Sequence, residues 1–190
     1  METNIHEDKF FKNLIYSKKE TKIIDFEKCS FTNCEFSNSV FYSCKFIDCI
    51  FAGCDLTMAK LTNCQLNNVI FKDCKLLGVN FSDCMSLPFL VKFENSILDY
   101  CSFARKKMQK TSFTNSSMKN VDFTESDLTG SAFSNSDLMN AAFNKTVLKQ
   151  VDFSTATNYV IDPEMNTIKK ARFSLYGISG LLNKYDIIIE

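Results

Sequence analysis

The chain has 190 residues, 45% of them hydrophobic, and its 22 Lys plus Arg are balanced by 22 Asp plus Glu. That is one domain's worth of sequence with enough apolar content for a sizeable core. The zero net charge excludes, as bulk properties, both the basic surplus of a typical nucleic-acid-binding domain and the acidic surplus of a DNA mimic.

The N-terminal stretch METNIHEDKFFKNL has no apolar segment followed by a small-residue cleavage site, so no secretory leader is expected. No apolar run approaches the length needed to cross a bilayer, so no membrane association is expected. The nine Cys are therefore expected as reduced thiols in the cytoplasm rather than as a secreted disulfide scaffold. Residues 1–23 read as an N-terminal cap or a ragged first coil, because Phe11 and Tyr16 fall in register with the large apolar residues beyond them.

From residue 24 the chain repeats every five residues. Large apolar residues recur from Phe26, Phe31, Phe36 and Phe41 to Phe81, slip by two residues, and resume from Phe93 to Phe153. Two residues before each lies a column of small residues that holds all nine Cys, beginning Cys29 and Cys34. Two residues after each lies a column rich in turn formers such as Asn33, Asn38, Asp48 and Gly53, which tolerate positive φ. A period of five fits neither a helix nor a plain strand. It fits a chain that turns a corner every five residues, so that four sides close a coil of 20 residues and coils stack at about 4.8 Å. Phe93, Phe113, Phe133, Phe153 and Phe173 form one ladder at that spacing, while Leu98, Met118 and Leu138 form an aliphatic ladder on the next wall. The β-helix is expected to span residues 24–173.

Residues 84–92 carry the phase slip, within the apolar run CMSLPFLV. Two readings stand: a bulge that realigns two half-rods, or a protruding contact loop offering Leu87, Pro88 and Phe89. Lys106 falls at an inward position, where a charge is costly. The coil is expected to bulge there so that Lys106 reaches water, with a small basic patch (Arg105, Lys107, Lys110) as the functional alternative. After Phe153 the pattern decays. Residues 175–185 read as a short helix and 186–190 as a terminal strand. Leu175, Ile178 and Leu182 share one helical face, and Ile187, Ile188 and Ile189 are expected to be covered, either as a cap on the last coil or against a second copy.

No catalytic constellation is legible. His6 is the only histidine, and no Ser–His or Cys–His pair can be assembled. The five-residue spacing of the Cys places successive thiols on different walls, unlike the converging pairs of structural zinc sites. No metal or other cofactor is expected. Asp122, Asp127, Asp137 and Asp152 sit at outward positions just before the large column, as on a solvated face. Residues 111–144 nevertheless carry a net charge of −3, from Asp122, Glu125, Asp127 and Asp137 against Lys119.

The segments CSFTNCEFSNSVF, VDFTESDLTGSAF and SDLMNAAF resemble the pentapeptide-repeat family, and the resemblance covers residues 24–156. It implies an all-β fold, a right-handed quadrilateral β-helix with a short C-terminal helix and strand. The interruption and the tail resemble a narrower group, the quinolone-resistance (Qnr) and microcin-immunity branch, whose members bind bacterial type II topoisomerases. That resemblance implies a homodimer joined tail to tail through Leu175, Ile178, Leu181, Leu182, Tyr185, Ile187, Ile188 and Ile189. It also implies DNA gyrase or topoisomerase IV as partner, bound by a DNA-shaped rod whose Asp122, Glu125, Asp127 and Asp137 stand in for phosphates, and no direct binding of nucleic acid. Protection of that enzyme from quinolones or peptide toxins would follow. The chain departs from the branch in having only a short interruption and a neutral rather than acidic composition. The alternative is a scaffold with an unrelated protein partner.

Overall fold

The computed structural model describes residues 4–188. It is a four-sided β-helix of about eight turns. Strands pair in parallel with an offset of 20 residues, so that Phe26 faces Phe46, Phe31 faces Phe51 and Phe93 faces Phe113. The strands are mostly three residues long, as in Ser30–Thr32, because a corner follows each one. The corner residues take positive φ: Asn33 at 51°, Asp73 at 53° and Gly53 at 63°. Met58, Tyr100, Arg105 and Glu125 adopt the same conformation, which is sterically unfavourable for such side chains. The coil imposes it, because each corner N–H donates to a carbonyl of the next coil, as in Asn33 to Ala52 at 2.8 Å and Glu125 to Asn144 at 2.8 Å. Asn at corners adds a second bond. Asn95, Asn115 and Asn135 each donate from Nδ2 to the residue below, forming a ladder that rises from Asp73 at 3.0–3.1 Å per step.

The core is the large column. Along one wall Phe31, Phe51, Phe71, Phe93, Phe113, Phe133, Phe153 and Phe173 stack with ring centroids 4.5–5.4 Å apart. A second stack runs through Phe81, Phe103, Phe123 and Phe143, and meets the first edge-on, with 79° between Phe113 and Phe123. In this half the two remaining walls are aliphatic, with Leu98, Met118 and Leu138 on one and Met108, Leu128 and Leu148 on the other, all buried. The N-terminal half differs: Phe26, Phe31, Phe36 and Phe41 place an aromatic ring on all four walls of one coil, each edge-on to the next.

The small column does more than fill space. Its thiols donate to the carbonyl 23 residues earlier: Cys49 to Phe26, Cys54 to Phe31 and Cys64 to Phe41, each at 3.3 Å. In the C-terminal half Ser131, Ser136 and Thr146 make the corresponding bonds to Met108, Phe113 and Phe123. A hydroxyl or a weakly donating thiol is thus used at an inward site where only small size was expected. All nine Cys are unpaired and buried.

Residues 4–22 complete a coil of their own. Asn4–Glu7 pairs with Ile24–Glu27, His6 stacks on Phe26 at 5.3 Å and Phe11 on Phe31 at 4.9 Å. The interruption inserts three residues between Met85, whose N–H still donates to the Cys64 carbonyl in the 20-residue register, and Phe89, which faces Leu66 at an offset of 23; a bulge then takes one residue back. Leu66 faces Phe89 but Val69 faces Val91, so three steps on one coil meet two on the next, and Phe71 then faces Phe93.

Candidate interaction surfaces

Two stretches break the repeat, and both place apolar side chains at the surface. At the interruption, Leu87 is 63% exposed and Leu90 52%, flanking a cis Leu87–Pro88 peptide. Phe89 does not join them. Its ring is 1% exposed above Leu66, because the residues inserted after Met85 bring it into the large column, so it is unavailable to a partner. Lys106 also departs from expectation. The coil does not bulge to release it; the side chain is 2% exposed. Its Nζ donates to the carbonyls of Cys84, at 2.5 Å, and Met85, at 3.3 Å, and lies 5.2 Å from the centre of the Phe89 ring. The start of the interruption supplies the two carbonyls that make a buried ammonium tolerable. Burial nonetheless pulls the Lys106 pKa below its ordinary value, opposed by the nearby Cys84 and Asp83.

At the C-terminus the helix is shorter than expected. One α-turn, Ser179–Leu182, continues as the 3-10 turn Asn183–Tyr185. Residues 186–188 form no strand, and Ile189 lies outside the described residues. Among the described residues the tail does not pair with the edge of the last strand, Arg172–Phe173, which bonds only to Asp152–Phe153 on its other side. The tail is docked through the Ile161 N–H, which donates to the Gly180 carbonyl at 2.9 Å, and through Leu181, which packs on the core. Gly177 and Gly180 lie so close to Tyr159 that a Cβ on either would collide with it. Leu175 at 83%, Tyr176 at 96% and Ile188 at 89% exposure remain uncovered, with Ile178, Tyr185 and Ile187 about half exposed.

Profile models of pentapeptide repeats match residues 24–103 (pentapeptide repeat region) and 116–154 (pentapeptide repeats, 8 copies). The chain belongs to the pentapeptide-repeat family. No curated protein matches it in sequence. Among solved structures it resembles QnrB1, a plasmid-mediated fluoroquinolone resistance protein. One trypsin-treated variant of QnrB1 superposes with a TM-score of 0.67 at 17% identity, covering 95% of this chain and 100% of that one. A second trypsin-treated variant gives 0.63 at 16% identity over 100% of both chains. Full-length QnrB1 gives 0.57 at 16% identity over 97% and 100%. At these identities the likeness is one of fold.

Within this pentapeptide-repeat coil the four candidate carboxylates do not form one surface. Asp137, Asp122 and Asp127 stand in three different rows, opposite Ser117, Ser102 and Lys107 respectively, and so on three walls. Glu125 is at the corner between the last two. Each Asp is tied locally by accepting the N–H two residues on: Thr124 for Asp122, Thr129 for Asp127 and Met139 for Asp137. Asp55 and Asp152 do the same. Burial opposes ionisation of Asp127, yet bonds from Thr129 and Gln109 and the charge of Lys149 hold its carboxyl below the usual range. Asp137 is held low in the same way, with burial outweighed by Asn158, Met139 and Lys119. Lys119 pairs with Asp137 at 3.4 Å, and Arg105 lies 3.7 Å from Glu125. Hydrogen bonding to the wall therefore accounts for Asp at these positions, and outward periodicity alone did not reveal it. Among the described residues no three His, Cys, Asp or Glu side chains converge as a metal site, and no helix is long and apolar enough to cross a membrane.

Proposed function

We propose that the protein is a non-catalytic, cytoplasmic interaction protein: a homodimeric rod that binds a bacterial type II topoisomerase and shields it from fluoroquinolones or peptide toxins. The observation that carries the reading is the superposition on QnrB1 over essentially the whole of both chains, tail included. The uncovered Leu175, Tyr176, Ile187 and Ile188 support the dimer, since exposed apolar groups clustered at one end of a rod favour self-association. Ile178, Leu182 and Tyr185 would line the same interface, while Leu181 packs on the core of its own rod. Two rods joined end to end would make a stiff body of about 70 Å, from eight coils each at about 4.8 Å. Shape, rather than charge, is then the basis of binding, because the four carboxylates are dispersed. Leu87 and Pro88, with Leu90, form an apolar projection at the interruption that a partner could grip.

The test is a gyrase supercoiling assay with and without a fluoroquinolone, beside light scattering of the free protein. A dimer that restores supercoiling in the presence of drug is expected. A dimer that neither binds nor alters gyrase or topoisomerase IV would move the reading to a scaffold for another protein, which the dispersal of the carboxylates favours.

A further inference from the structure

The zero net charge conceals a strongly polarised wall. One side of the coil carries the rows that run through Asp25, Lys45, Lys107, Asp127 and Val147. In its N-terminal half this wall is acidic, with Glu7, Asp8, Asp25, Glu27 and Asp48 against Lys28 and Lys45. In its C-terminal half the sign reverses. Arg105, Lys107 and Lys110 lie on one coil, and all three are exposed. Two coils on, exposed Lys145 and Lys149 occupy the same wall, and Lys169 and Lys170 follow on the last coil. Only Glu125 and Asp127 stand among these seven cations. Glu125 is beside Arg105, and the Asp127 carboxylate is already taken by Thr129 and Gln109. Among the described residues none of the six lysines forms an ion pair.

We propose that this wall, from Arg105 to Lys170, binds the phosphodiester backbone of a nucleic-acid duplex. From the coil of Lys107 to that of Lys169 is three coil steps, roughly 14 Å at the parallel-strand spacing. A duplex presents about eight phosphate charges over that length, roughly half of them toward one side, and the wall's seven cations less Glu125 and Asp127 leave five positive charges to meet them. The wall is flat and its outward side chains include no aromatic ring, so it can lie along a backbone but cannot enter a groove or stack on bases; the binding is to phosphates, without sequence readout. A second copy of the chain fits less well. The only acidic stretch of this wall is its own N-terminal half, where Asp25 is held by Lys45 at 2.7 Å and Glu7 by Lys28 at 3.2 Å.

The test is fluorescence anisotropy of the full chain with a labelled mixed-sequence duplex of about 20 base pairs, titrated across salt, with no topoisomerase present, so that it stands or falls apart from the topoisomerase reading. The expected result is binding at low salt whose logarithm falls against log salt with a slope of about −4, as for four or five phosphates neutralised. K149Q/K169Q/K170Q should reduce that slope by about 3. Gln already stands at 109 and 150, in the same two rows, so the triple variant should melt like the wild type. K18Q/K60Q/K75Q changes the net charge equally on other walls and should leave the slope within about 1. Absence of binding at low salt overturns the proposal, as does equal weakening by both triple variants. Binding to phosphatidylserine vesicles but not to the duplex would assign the wall to a lipid surface instead. Salt-dependent self-association lost in K149Q/K169Q/K170Q, without duplex binding, would assign it to a second copy.

Discussion

Phe123 offers the most direct test of the fold's energetics. Its ring is fully buried, stacked between Phe103 at 5.4 Å and Phe143 at 5.2 Å, and edge-on to Phe113 at 5.9 Å and Phe133 at 5.7 Å. Phe→Ala in a core costs about 3–5 kcal/mol from lost transfer energy and the cavity left behind. Four aromatic neighbours, each pair contributing about 0.5–1.5 kcal/mol beyond burial, place Phe123→Ala at the upper end, about 4–5 kcal/mol. The coils above and below are fixed by the backbone ladder, so the site cannot collapse to refill. Phe123→Leu keeps most of the volume and sits where Leu already occupies other walls; it should cost about 1–2 kcal/mol, mainly the lost ring pairs. Urea unfolding followed by far-UV circular dichroism gives both values, provided the slope m is unchanged between variants. Because each coil contacts only its neighbours, amide exchange in Phe123→Ala should rise first in the coils adjoining residue 123. Two substitutions that each cost under about 1 kcal/mol would show that Phe123 is not clamped between its neighbours and would refute the reasoning.

The remaining predictions use other parts of the rod. All nine thiols should alkylate slowly in native protein and rapidly once denatured, since all are buried and burial pushes Cys49 and Cys84 up to about 12; fast native labelling would contradict the inward column. Cys64→Ser, which can keep the bond to the Phe41 carbonyl, should cost less in a urea melt than Cys64→Leu, for which overpacking predicts about 1–3 kcal/mol. Asp127, Asp137 and Asp152 have depressed carboxyl pKa values, so their stabilisation is present above the ordinary carboxylate pKa and is lost as pH falls through the folded values. D127N/D137N/D152N should therefore flatten the acid limb of a stability–pH curve below about pH 4, and an unchanged limb would show that their bonds to the wall contribute nothing. Gly180→Ala should undock the tail, because the new methyl meets the Tyr159 carbonyl; limited proteolysis should then cut after Lys184 sooner than in wild type, and equal rates would mean the tail is not held there.

The sequence by itself determined the coil. A large side chain every fifth residue marks a chain that turns a corner every pentad, and the alternation of Phe and aliphatic residues repeating every 20 residues then gave the wall number, coil length and core ladders. Lys106 and Phe89 show where that reasoning stops. Periodicity marks a position as inward, but it cannot say what the neighbouring coil offers there. Only the folded interruption brings the Cys84 and Met85 carbonyls to the Lys106 ammonium and sets Phe89 into the core. The hydrogen bonds of the small column were equally hidden, because their acceptors lie 23 residues away along the chain. Charge was the least legible property. Asp122, Asp127 and Asp137 look like one acidic cluster in sequence, yet neighbours five residues apart lie on different walls and only residues about 20 apart share one. The same geometry draws Lys107, Lys149 and Lys169 from separate segments onto a single face, because side chains meet along the stacking direction and not along the chain.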